Sequence, residues 1–151
     1  MPQSISIVYI HLVFTTLNRE PFLRETALRE KLHAYLAGVS NEHGCPAIKV
    51  GGVADHVHIL ARLGREITQS DLARELKRAS SLWLKTQSPA LAEFKWQPGF
   101  GVFSVSYDRV DTVSNYIKNQ SVHHAQKTFR EEFDNFAELH GVKLEERFYD
   151  A

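Results

Sequence analysis

The order in which hydrophobic periodicity switches between strand-like and helix-like along the chain leaves few folds open. Ser4 to Phe14 (SISIVYIHLVF) is rich in β-branched and aromatic residues and poor in helix formers, which predicts a strand. Asn18 to Pro21 reads as a turn. Arg24 to Gly44 repeats apolar residues at helical spacing (Leu28, Leu32, Tyr35, Leu36, Val39), and Gly44 before Cys45-Pro46 stops it. Ala47 to Val53 and His56 to Leu63 are two short strand-like runs with a turn around Asp55. A second helix is expected from Thr68 to about Lys85. Ser70 and Asp71 are its candidate caps, and Leu72, Leu76, Leu82 and Trp83 supply its apolar face. After a loop at Pro89, Pro98 and Gly99 comes a strand, Phe100 to Tyr107. Helical pattern then runs from Thr112 to about Arg130 and again from Glu131 to His140, ending at Gly141.

The order β-α-β-β-α-β is the ferredoxin-like motif, an antiparallel α+β sheet with two helices on one face. It is followed here by a further helix that carries Tyr116. At 151 residues one domain is expected over the whole chain, with 43% hydrophobic and 24% charged residues typical of globular proteins. The single cysteine, Cys45, excludes an internal disulfide and a multi-cysteine zinc site, and a reduced, cytoplasmic compartment is the expectation. Met1 to Asn18 lacks the basic start of a secretory signal, and no run approaches the ~20 apolar residues that cross a bilayer. Eighteen basic and eighteen acidic residues cancel. Locally, six basic residues between 62 and 85 face three acidic ones, whereas the tail from Arg130 is acidic by seven to three.

The chemistry-bearing residues fall into two groups. In His56-Val57-His58, strand alternation sends both imidazoles to one face and Val57 and Ile59 to the other. Two neutral imidazoles side by side are half of a divalent-metal site, although an isolated His-x-His also describes a solvated sheet face. Sixty residues on, Tyr116 and Gln120 stand at i and i+4 and share a helix face, with His123 one turn further. A phenol oxygen is a nucleophile, and an amide carbonyl suits a hard cation; a half-buried packing residue is the plainer account of a lone tyrosine.

Together these residues resemble the single-tyrosine HUH transposases of small insertion sequences, including the REP-associated tyrosine transposases. The resemblance runs through Val13-Phe14-Thr15-Thr16 and Arg19, Asp55-His56-Val57-His58-Ile59-Leu60, and Lys77 to Trp83. It continues through Tyr116-Ile117-x-Asn119-Gln120 to His123-His124 and Phe129. It implies His56, His58 and Gln120 as metal ligands, Tyr116 as nucleophile, and magnesium or manganese (Mg2+ or Mn2+) as the divalent cofactor. It implies cleavage and rejoining of single-stranded DNA at hairpin ends through a 5′-phosphotyrosine. Arg62, Lys77, Arg78 and Lys85 are candidates for contact with the DNA backbone. The resemblance implies a homodimer, with the tyrosine helix of one subunit completing the metal site of the other, or, as in the REP-associated relatives, a monomer with everything in one chain.

Two rival readings are weaker. Histidine-triad nucleotide hydrolases need a third histidine where Leu60 stands. A ferredoxin-like nucleic-acid-binding module needs exposed aromatics on adjacent central strands, whereas one face of the third strand carries His56, His58 and Leu60. An inactive or domesticated copy of the transposase would carry the same motifs.

Overall fold

A computed structural model describes residues 3–121 and 127–149. Its central strand, β1 (Tyr9–Thr15), pairs antiparallel with β3 (His56–Arg62) on one side and β4 (Gly101–Val105) on the other, and β2 (Ala47–Gly52) extends the sheet beyond β3. The resulting order, β2-β3-β1-β4, is that of the expected ferredoxin-like topology. No helix among the described residues is long and apolar enough to cross a membrane.

Alternation divides β1 and β3 between two buried layers. Ile10, Leu12 and Phe14 join Val57, Ile59 and Ala61 in a core with α1 (Thr26–Glu42) and α2 (Gln69–Lys85), which contribute Leu32, Leu36, Leu72, Leu76 and Leu84. The opposite residues, His11 and Val13 on β1 and His56, His58 and Leu60 on β3, are equally buried. Two later helices, α3 (Val110–Lys118) and α4 (Phe129–Leu139), lie on this second face.

Glycines set how closely these helices approach. A Cβ at Gly51 would stand 2.7 Å from the carbonyl oxygen of Ile117 in α3, and a Cβ at Gly101 would collide with the Phe133 ring of α4. The first strand starts later than its composition suggests. Ile5, Ile7 and Val8 are exposed, and pairing begins at Tyr9 because both neighbouring strands end opposite it. Helix α2 is capped by Thr68, whose hydroxyl accepts the Asp71 N–H at 3.0 Å, rather than by Ser70 or Asp71. Leu82 turns out to solvent, and Trp83 stacks on Tyr35.

The largest difference from expectation follows the fourth strand. The expected continuous helix from Thr112 to Arg130 is broken. Helix α3 ends at Lys118, and Asn119 leaves helical geometry with ψ 26°. Thr128 opens α4 with a capping box to Glu131. Thr128 thus starts a helix instead of lying inside one.

Replacing Gly51 by alanine forces α3 off the sheet or strains β2. The expected cost is about 1–3 kcal/mol of stability, measured by urea denaturation, the usual penalty for overpacking. Ala47→Gly, at the half-buried start of the same strand, is expected to cost less, about 0.5–1 kcal/mol.

Candidate functional site

Cross-strand register assembles the centre of the second face. Thr15 lies opposite His56, and Val13 lies opposite His58, so β1 and β3 hold the two histidines on adjacent rungs of one ladder. Both imidazoles are fully buried. Each ring is pinned at Nδ1: His56 by the Asp55 carboxylate at 2.7 Å, and His58 by Nε2 of His11 at 2.8 Å. Pinning Nδ1 leaves Nε2 of both rings to turn toward a common point. The carboxylate of Glu132 stands at that point, its Oε1 3.0 Å from His58 Nε2 and 3.6 Å from His56 Nε2.

The tyrosine and glutamine complete the cluster. Tyr116, on α3, is half-buried, with its ring centroid 6.0 Å from that of His58 and 5.2 Å from that of Phe136 in an edge-to-face contact. Its hydroxyl reaches the Glu132 carboxylate. Gln120 lies just beyond the end of α3, where helical structure resumes after Asn119, so the two stand four residues apart across that single break. The chain turns at Asn119 and still delivers a fully buried Gln120 side chain close to the phenol. Neither amide atom of Gln120 makes a hydrogen bond of standard geometry among the described residues. His56, His58 and Glu132 form a buried group whose ligand atoms lie within 4.8 Å of one another, a donor set able to hold a metal ion. The buried Gln120 amide, close to the phenol, adds a neutral oxygen donor beside it.

Burial and charge oppose each other in this cluster. Burial alone would push the His56 imidazole down, but hydrogen bonds and charge from Asp55 and Glu132 outweigh it and hold His56 above the ordinary imidazole range. His11 is driven well below that range, by burial first and by His58 second. Burial, reinforced by the Glu132 carboxylate, raises the Tyr116 phenol above its usual value, and Gln120 works in the opposite sense. As the structure stands, the tyrosine is held as a neutral phenol.

Placement of the expected residues is uneven. His56, His58, Tyr116 and Gln120 converge within one chain, whereas the expectation shares the tyrosine helix between subunits. The basic candidates do not join them. Arg78 pairs with Glu75 on α2, across the sheet from the histidines. Lys85 is exposed at the end of α2, and Arg62 is exposed at the far end of β3. Lys77 is half-buried, donates to the carbonyls of Gln97 and Gly99, and is lowered to about 8 by burial. His123 and His124 lie outside the described residues.

Three residues of the cluster escaped the sequence reading: His11, Asp55 as a pinning carboxylate, and Glu132. Glu132 was counted only in an acidic tail. Its signal was the spacing Phe129-x-x-Glu132-Phe133-x-x-Phe136, which puts a charged side chain on the apolar stripe of a helix.

Histidine burial outside the cluster gives a pH test. His33 on α1 has a buried Nε2 with no hydrogen-bond partner among the described residues, and burial lowers it to about 4. Between about 6.5 and 4 the unfolded chain therefore binds more protons than the folded one, so stability falls as pH falls through this window. His11 acts in the same sense. His56, raised on folding, acts in reverse and loses its contribution as pH rises through its folded value. Urea denaturation from pH 7 to 4.5 should show a smaller loss in His33→Gln than in the wild type.

A family model of IS200-like transposases matches residues 4–120, a span that includes His56, His58, Tyr116 and Gln120 but not α4. Curated protein sequences contain no match. Among solved structures, a candidate transposase from Deinococcus radiodurans R1 is 22% identical with a TM-score of 0.60, over 78% of this chain and 93% of that one. A REP-associated tyrosine transposase, solved bound to a REP hairpin, is 17% identical with a TM-score of 0.59, over 81% of this chain and 71% of the other. At these identities the likeness is one of fold.

Proposed function

The chain belongs to the IS200-like transposase family, and from that premise we propose that it cleaves and rejoins single-stranded DNA through a covalent bond between Tyr116 and a 5′-phosphate, with the help of a divalent metal ion. One observation carries the reading. The Tyr116 hydroxyl and His58 Nε2 meet the same Glu132 carboxylate, with His56 and Gln120 beside it.

His56, His58 and the carbonyl oxygen of Gln120 would hold the ion, Mg2+ or Mn2+. When bound, it supplies Lewis-acid stabilisation to the charge that builds on a phosphate under attack. The remaining work falls to the chain itself. A substrate phosphate, an anion like Glu132, takes the place of that carboxylate beside the histidine pair, with the Glu132 side chain shifting toward Tyr116 to admit it. Glu132 keeps its hydrogen bond to Tyr116 and accepts the phenolic proton. The phenolate oxygen bonds to phosphorus, the bond to the 3′-oxygen breaks, and that oxygen takes the proton back from the Glu132 carboxyl and leaves as a 3′-hydroxyl. Attack by a second 3′-hydroxyl reverses these bonds and reseals a strand without ATP, because the phosphotyrosine conserves the bond energy.

A hairpin-bearing single strand is the proposed substrate, supported by the REP hairpin bound to the related tyrosine transposase. Excision needs two cuts, so we assign the working unit to a homodimer with one complete site in each subunit. Arg62, Arg78 and Lys85 are proposed contacts to the DNA backbone away from the reacting phosphate, where they would position the strand without reading it.

Incubated with a single-stranded hairpin substrate and Mn2+, the wild type should form a denaturant-resistant DNA adduct that Tyr116→Phe does not form. A DNA-binding module without chemistry would retain the hairpin and yield no adduct in either protein. Mixing His56→Ala with Tyr116→Phe under conditions of subunit exchange should restore nothing, because each site lies within one chain. Recovered cleavage would establish sharing between subunits.

The pinning contacts give a separate expectation for the metal. His56→Ala should lose Mn2+ binding, read as free-ion signal by electron paramagnetic resonance. His11→Ala and Asp55→Ala should weaken it roughly 10–100-fold, as removal of an orienting partner does. Unchanged affinity in all three would place the ion elsewhere.

A further inference from the structure

Beside the histidine pair, at the end of β1, lies a cavity of about 480 Å3 to which the cleavage chemistry gives no role. Small-molecule pockets span roughly 300–1,000 Å3. Phe129 and Phe148 are among its aromatic walls, and Asn18, Arg19 and Gln97 line it with polar groups. It adjoins the cluster directly: the Phe129 ring packs 4.8 Å from that of His56, and Thr15, another lining residue, is the cross-strand partner of His56.

The polar side is built with care. The Asn18 N–H donates to Gln97 Oε1 at 2.9 Å, which sets the direction of the Gln97 amide. The Gln97 backbone N–H donates to the Thr15 carbonyl at 2.8 Å and ties this loop to β1. Asn18 and Arg19 both hold φ at 54°, a left-handed conformation that side chains other than glycine seldom adopt. Consecutive residues in that region persist only where the surroundings enforce them, and such strain concentrates at binding sites. The Arg19 guanidinium stands 5.9 Å over the Phe129 ring, placing a positive charge at the aromatic wall.

Aromatic faces, an oriented amide and a guanidinium in one recess match the chemistry of an unpaired nucleotide, which offers a π face, a hydrogen-bonding edge and a phosphate. We propose that this cavity binds the base of the nucleotide adjoining the scissile phosphate. The base stacks against Phe129 and Phe148, Gln97 bonds its edge, and Arg19 meets its phosphate. The protein itself then reads one base at the cleavage position, since base contacts specify where phosphate contacts only position. This site deepens the single-strand cleavage reading and rests on it for its biological role, but the cavity is tested without any cleavage.

The test uses the full-length protein with no added metal and four probes: dAMP, dCMP, dGMP and dTMP, observed by saturation-transfer NMR. At least one should bind saturably through its base protons, and deoxyribose 5-phosphate should not displace it. Gln97→Ala and Phe148→Ala should each weaken binding roughly tenfold. Gln97→Glu keeps the acceptor for Asn18 and so guards against misfolding; it should reorder the preference among the four bases. Tyr116→Phe should bind as the wild type does, so failure of the covalent chemistry and failure of the pocket are read separately. Absence of nucleotide binding, full displacement by deoxyribose phosphate, or unchanged affinity in Gln97→Ala and Phe148→Ala would overturn the proposal.

Discussion

The antiparallel register between β1 and β3 is the constraint on which the rest of this molecule depends. Both faces of β3 are buried, with Val57, Ile59 and Ala61 in the apolar layer and His56, His58 and Leu60 in the other. A slip of one residue would exchange the two sets, thrusting imidazoles among leucines and isoleucines. The apolar layer therefore specifies the placement of the polar one. Core packing thus sets the position of the histidine pair, and the polar contacts to Asp55 and His11 orient its rings.

What the polar layer adds is mutual restraint. A buried carboxylate is costly unless charge and hydrogen bonds compensate it. Glu132 lies between imidazoles and a phenol, and its field acts on both: it favours the protonated form of His56 and the neutral form of Tyr116. Removing any one member leaves the others with an uncompensated buried polar group. The same coupling explains why His11, itself buried, matters to the direction of His58.

Much of this was legible in the chain because the signals were local. Alternation placed His56 and His58 on one face, Gly44 stopped α1 with φ at 73°, and the element order matched the sheet order. The failures were long-range or concerned chain breaks. Helical spacing across Thr112 to Arg130 concealed the stop at Asn119, because a side-chain pattern does not register one residue leaving helical backbone geometry. Glu132 reaches the histidines only through the docking of α4, so an acidic tail and a buried carboxylate looked the same in one dimension. The basic residues at 62 to 85 were grouped by sequence proximity, while the sheet separates Arg78 on α2 from the histidines.

The central position of β1 also governs the order in which the molecule can be assembled. Its first partner, β3, lies more than forty residues away, with His11 and His58 separated by 47 positions, and its second, β4, is later still. Contacts of such long sequence separation slow folding, because loop closure must precede any reward. On a ribosome, β1 emerges early as an apolar strand with both edges open and waits for most of the chain to be made. Glu132 is synthesised after every strand. Until α4 arrives, the histidine pair stands without the carboxylate that bridges it, so the chemistry-bearing cluster is the last part of the protein to become whole.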